Sequence, residues 1–282
     1  MIEDVLNSPA FRARIAESVQ KDFGPAICPI VGMVKGRALQ CGTGTLFKIG
    51  DRRFIITAAH VMETMSKAEG DPLISDHAPH SAAVPLYDSR AVMFRNKWGD
   101  CAVVEVQPAI VEHVPNRRWV TMLDFAYPPP TPNDLYYVCG YPSQLTETTA
   151  SGGLSHAAMG FLTFGIGHDG LGDFDDTLNL AFRGPDGTER TTDGVLVPSS
   201  LKGISGSAVW RVYSGEPESS WKSDGIKIIG IQTGVYERKK AIKATVWGAV
   251  LQMLWKHFED LRPSIRLHLD DAEIRTLEQR FR

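Results

Sequence analysis

The feature that most constrains this chain is a succession of short β-branched and apolar runs, each cut off by Gly, Asp, Ser or Pro. Between Ala26 and about Val106 they are ICPIVGMV, GTGTLFKI, RFIITAAHV, AVMFRN and CAVVEV. Beyond residue 133 they resume as DLYYVCGYP, GFLTFGIG, TLNLAFRG, SGSAVWRV, IKIIGIQTGVY and IKATVW. Runs of this length and residue type read as strands. The 26 glycines and 17 prolines among 282 residues supply the turns of a strand-based fold rather than a helix bundle. Two groups of about six strands predict two similar β-units. The segment YPPPTPN, residues 127–133, separates them, because consecutive prolines hold an extended backbone that suits a connector. Residues 66–88 are polar and Pro-containing and read as a surface loop.

Helices flank the strands. Ser8 and Pro9 suit an N-cap and first helical position, and Phe11, Ile15, Val19 and Phe23 recur every four residues up to Gly24-Pro25. That stripe is expected to pack on the body of the protein. Val250, Leu251, Leu254, Phe258 and Leu261 predict a second helix, ended by Arg262-Pro263. A third follows Asp270, with Glu273 completing a capping box and Ile274, Leu277 and Phe281 on one face. The expected organisation is a helical segment over 1–25, a β-unit over 26–126, the connector 127–133, a β-unit over 134–248, and helices with a tail over 249–282.

Thirty basic and 33 acidic residues, spread along the chain, leave a net charge of -3 and no basic block to engage phosphates, which argues against nucleic acid as the main ligand. No run of 18 apolar residues predicts a membrane span, and the opening MIEDVLNSPAF has no signal-peptide pattern, so the expected location is cytoplasmic. Cys28, Cys41, Cys101 and Cys139 are too sparse for a disulfide framework and are expected as free, buried thiols. Asp76, His77 and His80, and the group His168, Asp169, Asp173, Asp175 and Asp176, match no zinc or EF-hand spacing and read as solvated loops, so no metal is expected.

Three segments carry chemistry: FIITAAH ending at His60, WGDCAVV containing Asp100, and GISGS containing Ser205. Each residue alone has an ordinary structural role, as a buried histidine, a strand cap or a turn serine. Jointly they supply a nucleophile system. A serine hydroxyl is nearly inert at neutral pH and needs a base near pKa 7, which His60 provides for Ser205. The other ring nitrogen must be held protonated, and a carboxylate does this, which is the role of Asp100. Gly203 and Gly206 can adopt turn conformations closed to other residues and leave backbone N–H groups facing a substrate.

The order His, Asp, Ser and the local motifs TAAH, GDCAVV and GISGSAV resemble the chymotrypsin-like (trypsin-like) serine peptidase family over about residues 26–261. GYP at 140–142 and GIQTG at 230–234 resemble second-barrel strand ends of bacterial members. The resemblance implies an all-β fold of two six-stranded antiparallel β-barrels with an N-terminal helix and C-terminal helices outside them. It implies an endopeptidase acting on polypeptides through an acyl-enzyme, with no cofactor. It assigns the oxyanion hole to the N–H groups of Gly203 and Ser205, the pocket floor to Ser199, and a pocket wall to Thr233 and Gly234. With no carboxylate at the floor, a small or apolar P1 residue is expected.

Several residues depart from that pattern. Ile204 stands where relatives activated by cleavage carry an aspartate, so an N-terminal ion-pair switch is excluded, and PIVGMV at 29–34 reads as an internal strand. Val61 and Met62 follow His60 where many secreted members place a cysteine. These departures point to bacterial or viral-type members that fold active or await a partner that orders the loops of 143–201. An α/β-hydrolase elbow fits poorly, because position 207 is serine and the chain order is reversed. Two further readings stand beside the enzyme. One is a catalytically silent peptide-binding or scaffolding module. The other is an effector regulated by a protein partner through the N-terminal helix or residues 264–282.

Overall fold

The computed structural model describes residues 5, 8–77, 82–95, 99–125, 131, 133–148, 154–185 and 200–279. The first element is α1 (Pro9–Phe23), which starts where Phe11 N–H donates to the Ser8 side chain at 3.3 Å. Its stripe of Phe11, Ile15, Val19 and Phe23 is buried. Phe11 meets Tyr213 and Trp221 edge-on, and Phe23 lies 4.3 Å from Trp210. The helix therefore packs on the second β-unit, as its amphipathic period requires.

The first β-unit contains β1 (Ile27–Val34), β2 (Arg37–Ile49), β3 (Arg52–Thr57), α2 (Ala59–Met65), β4 (Glu69–Ser75), β5 (Ala83–Pro85), β6 (Arg90–Arg95), β7 (Asp100–Val106) and α3 (Pro108–Glu112). The strands form one antiparallel sheet in the order β5-β4-β1-β2-β3-β7-β6. Alternation divides its runs between two cores. Phe47, Phe54, Ile56 and Val103 face the rest of the molecule, whereas Ile30, Leu46, Ile55 and Val104 face a separate cluster. Both faces are covered, which is why these strands read as continuous apolar runs.

The second unit contains β8 (Leu135–Gly140), a short hairpin of β9 (Thr146–Thr148) and β10 (Leu154–His156), then β11 (Met159–Phe164), β12 (Asn179–Arg183), β13 (Ala208–Tyr213), β14 (Lys227–Tyr236) and β15 (Ala241–Val246). Its six-stranded sheet runs β11-β8-β13-β14-β15-β12. A bridge from Gly165 to Phe182, with Ile166 N–H donating to Ala181 O at 3.0 Å, joins its two edges. Then follow α4 (Trp247–His257), α5 (Arg262–Arg266) and α6 (Asp271–Gln279). The α4 helix shares a core with both units: Trp247 stacks on Phe125 at 4.2 Å and meets Phe47 edge-on.

Two antiparallel β-units with flanking helices are the expected architecture, with differences in detail. The first sheet has seven strands rather than six, because the stretch 66–88 holds β4 and β5 instead of a loop alone. Most of its polar residues face solvent, Pro85 lies on the edge strand β5, and among the described residues of the stretch only Ile74, Asp76 and Leu86 are buried. The run RFIITAAHV stops as a strand at Thr57 and turns into α2. The helix α4 ends at His257, and Pro263 lies in the first turn of α5 rather than closing a helix. After Asp270 the capping box forms: Asp270 N–H donates to Glu273 Oε2 and Glu273 N–H to Asp270 Oδ1, both at 2.8 Å. Most of the connector 127–133, as well as Phe281 and the Leu277 side chain, lies outside the described residues.

Candidate active site

Strand pairing brings His60 and Asp100 together. Because β3 and β7 are antiparallel neighbours, with Thr57 opposite Ala102, the end of one and the start of the other share a sheet edge. His60 lies in the first turn of α2, just past β3, and Asp100 opens β7. Asp100 Oδ2 lies 2.6 Å from His60 Nδ1, and Asp100 Oδ1 accepts the His60 backbone N–H at 2.9 Å. An ionised carboxylate only accepts, so Nδ1 carries the proton and Nε2 is left as the basic nitrogen. Burial pushes the Asp100 carboxyl up, but the His60 ring and backbone, together with Arg95, more than offset it and hold the group below the usual aspartate range. The His60 side chain keeps 33% of its surface exposed, so the ring is reachable.

Ser205 sits in the turn before β13. Gly203 and Gly206 flank it at φ +98° and +95°, in the left-handed region. A Cβ on Gly206 would lie 2.0 Å from Thr43 O and 2.2 Å from Thr57 Oγ1, so only glycine fits there. Ile204 N–H donates to Leu201 O, Gly206 N–H to Gln232 O and Ser207 N–H to Ile204 O. Among the described residues, the N–H groups of Gly203 and Ser205 have no acceptor. The alternation leaves two donors of one loop uncommitted.

Residues of β2 dock this loop onto the first unit. Thr43 N–H donates to Ser205 O at 2.8 Å, Thr43 Oγ1 to Gly203 O at 2.9 Å, and Thr45 Oγ1 to Gly206 O at 3.1 Å. Gly42 lies between Val61 and the loop: a Cβ there would be 2.5 Å from Val61 Cγ2 and 3.1 Å from Ser205 O. The Ser205 backbone is thus adjacent to the residue that follows His60. The Ser205 hydroxyl makes no hydrogen bond to His60 among the described residues.

Sequence reasoning did not find Thr43, Thr45 or Gln40. Gln40 donates to Tyr141 O and accepts from Thr146 Oγ1 at 2.6 Å, which ties the β9–β10 hairpin to the segment packed against Gly203. The available signal was the alternation in QCGTGT, which puts two threonines on one face of β2 and two glycines on the other.

Among solved structures, the chain is similar to the scabies mite inactivated protease paralogue S-I1, with 15% identity and a TM-score of 0.51, over 84% of this chain and 95% of that one. The fold is that of the chymotrypsin-like proteases. GrC, a granzyme, matches at 13% identity and a TM-score of 0.49, over 83% of this chain and 95% of its own. Tobacco vein mottling virus protease matches at 11% and 0.44, over 80% and 78%. No family model matches the sequence, and no curated protein matches it significantly. The comparisons do not single out bacterial members.

Within this chymotrypsin-like fold, Ile204 is buried in the apolar cluster of Val138, Leu201 and Val209, and PIVGMV lies inside β1, paired on both sides. Thr233 is buried in β14 with its hydroxyl 3.3 Å from that of Thr245, and Gly234 is half-buried. Ser199 lies outside the described residues.

The other polar clusters have structural partners. Asp76 is buried rather than solvated, accepting from the Asn116 backbone and side chain at 3.1 and 2.6 Å, and His80 lies outside the described residues. His168 pairs with Asp176 at 3.2 Å and stacks on Phe174. Among the described residues no group of three or more His, Cys, Asp or Glu could hold a metal, and no helix is long and apolar enough to cross a membrane. The four cysteines are free; Cys28, Cys101 and Cys139 are buried as expected whereas Cys41 is only half-buried, and burial pushes Cys101 and Cys139 up to about 12, so both are packing residues.

Proposed function

We propose that this protein is a serine endopeptidase in which Ser205 attacks the scissile carbonyl, His60 takes its proton, Asp100 orients the ring, and the N–H groups of Gly203 and Ser205 receive the oxyanion. The observation that carries the reading is the capture of both Asp100 oxygens by His60, beside a glycine turn with two uncommitted donors. The chemistry is complete in its parts. Nε2 accepts the Ser205 proton, the acyl-enzyme forms as the amine leaves with that proton, and water then repeats the sequence in reverse. Two oriented donors in a pocket shielded from water stabilise the tetrahedral oxyanion by on the order of 3 kcal/mol each. The missing Ser205–His60 hydrogen bond is compatible with this, since such contacts are often loose without substrate. No cofactor is needed.

The same gap favours a second reading, a silent peptide-binding module. A protein described as an inactivated protease paralogue shares this fold, which supports that reading. Partner-controlled latency is a variant of the first reading. Its contact is proposed on residues 264–282, where Leu267 is 83% exposed, because the apolar stripe of α1 is covered by the second unit. Casein digestion separates the readings: the wild type should cleave, and Ser205→Ala and His60→Ala should not. Cleavage that survives both substitutions would overturn the peptidase reading, and a wild type that stays inert leaves the silent module and the partner-controlled variant.

A further inference from the structure

Lys243 lies on β15, half-buried, directly opposite Gly234 of β14 and Ala181 of β12. Paired residues of an antiparallel ladder project to the same face, so the lysine stem is flanked by a hydrogen on one side and a methyl on the other. A Cβ on Gly234 would lie 3.4 Å from Lys243 Cε and 3.5 Å from Lys243 Cβ. The stem therefore crosses the space that a side chain at 234 would fill. Beside it, the register of β14 shifts between Gln232 and Gly234, and the Thr233 and Thr245 hydroxyls meet at 3.3 Å. The place is polar and carries the positive charge of Lys243: Gly234 and Lys243 are half-buried, and Thr233 and Thr245 are buried beside them.

That charge lacks a direct counter-ion. Lys243 Nζ donates to the Asp173 backbone carbonyl at 3.2 Å, and among the described residues no carboxylate oxygen lies within 4.0 Å of it. An ammonium has three donors, so two remain. Burial holds the amine below the ordinary lysine range, against the opposing pull of the Asp100 and Asp173 charges. Gln232, two residues before Gly234, accepts the Gly206 N–H at 2.8 Å, so this stretch of β14 lies against the Ser205 loop.

We propose that Lys243 determines the specificity of this site and selects polypeptides with a glutamate or aspartate side chain at P1, on the acyl side of the scissile bond. The inference rests on the serine-peptidase reading above. An acidic side chain lying along the Thr233–Gly234 wall would accept the two remaining ammonium donors and gain a charge-assisted pair in a partly desolvated place. A lysine or arginine there would set two like charges side by side, and a leucine would leave the ammonium desolvated and unpaired. An acidic P1 residue thus replaces the small or apolar one expected from the Ser199 floor.

The test uses peptidyl diphenylphosphonates that differ only at P1, carrying Glu, Gln, Leu or Lys, together with a plain fluorophosphonate. The rate of Ser205 adduct formation is followed by intact mass. The ratio of Glu to Gln rates within each protein is the readout, so a general loss of reactivity cancels, and circular dichroism melts check folding. The wild type should favour Glu over Gln and Leu by at least tenfold, Lys243→Met should lose that preference, and Lys243→Arg should keep it. Fluorophosphonate labelling of the wild type without a Glu preference, or a preference that survives in Lys243→Met, would overturn the specificity claim and leave the peptidase standing. No labelling by the fluorophosphonate would instead remove the peptidase reading, and the specificity claim with it.

Discussion

Asp100 uses both oxygens on one residue, so its loss should be felt twice. Asp100→Asn cannot hold Nδ1 in the protonated, correctly aimed state, and peptide hydrolysis should fall roughly 10⁴-fold. The substitution also has a pH signature. A carboxyl held below its unfolded value contributes stability that is present above about pH 4 and is lost as pH falls through its lowered folded value. The gap in unfolding free energy between wild type and Asp100→Asn should therefore narrow from pH 6 to pH 3, and urea melts giving a constant gap would contradict the assignment. Gly206 makes a different demand. Gly206→Ala forces a Cβ onto Thr43 O at a positive φ and should cost about 2–4 kcal/mol. Gly36→Ala shares the positive φ but meets nothing within 4 Å, and should cost about 1 kcal/mol. Equal losses in denaturant melts would contradict the steric account.

Among the elements, α1 is the one whose role was written most fully in the sequence. Ser8 and Pro9 start it, a four-residue repeat fixes its buried face, and Gly24-Pro25 ends it. Phe11→Ala removes a ring wedged between Tyr213 and Trp221 and should destabilise the protein by about 3–5 kcal/mol. A loss below 1 kcal/mol would mean that the helix is only loosely docked. The capping box at Asp270 was legible for the same reason, since a local pattern had a local meaning. By contrast β4, β5, β9 and β10 were hidden. β5, β9 and β10 are three residues each, β4 opens on Glu69, Gly70, Asp71 and Pro72, and sequences such as Thr-Glu-Thr and Leu-Ser-His carry no apolar period, their described side chains being at most half-buried.

At the scale of the molecule, what the sequence withheld are the relations between distant strands. His60, Asp100 and Ser205 could be named because each sits in a local motif. Thr43 and Thr45 read only as residues that favour strands, although they dock the Ser205 loop of one β-unit onto the other. Lys243 looked like any charged residue until the register set it between Gly234 and Ala181. The seven-stranded count of the first sheet likewise depends on which edge strand finds a partner, a property of the assembled sheet.

The central claim is that these relations assemble a reactive serine. It is tested most directly by treating the purified protein and Ser205→Ala with a fluorophosphonate and locating the adduct by intact mass and peptide mapping. A single adduct on Ser205, absent from Ser205→Ala, is the predicted result. No adduct on the wild type, or one at another residue that persists in Ser205→Ala, would contradict the account.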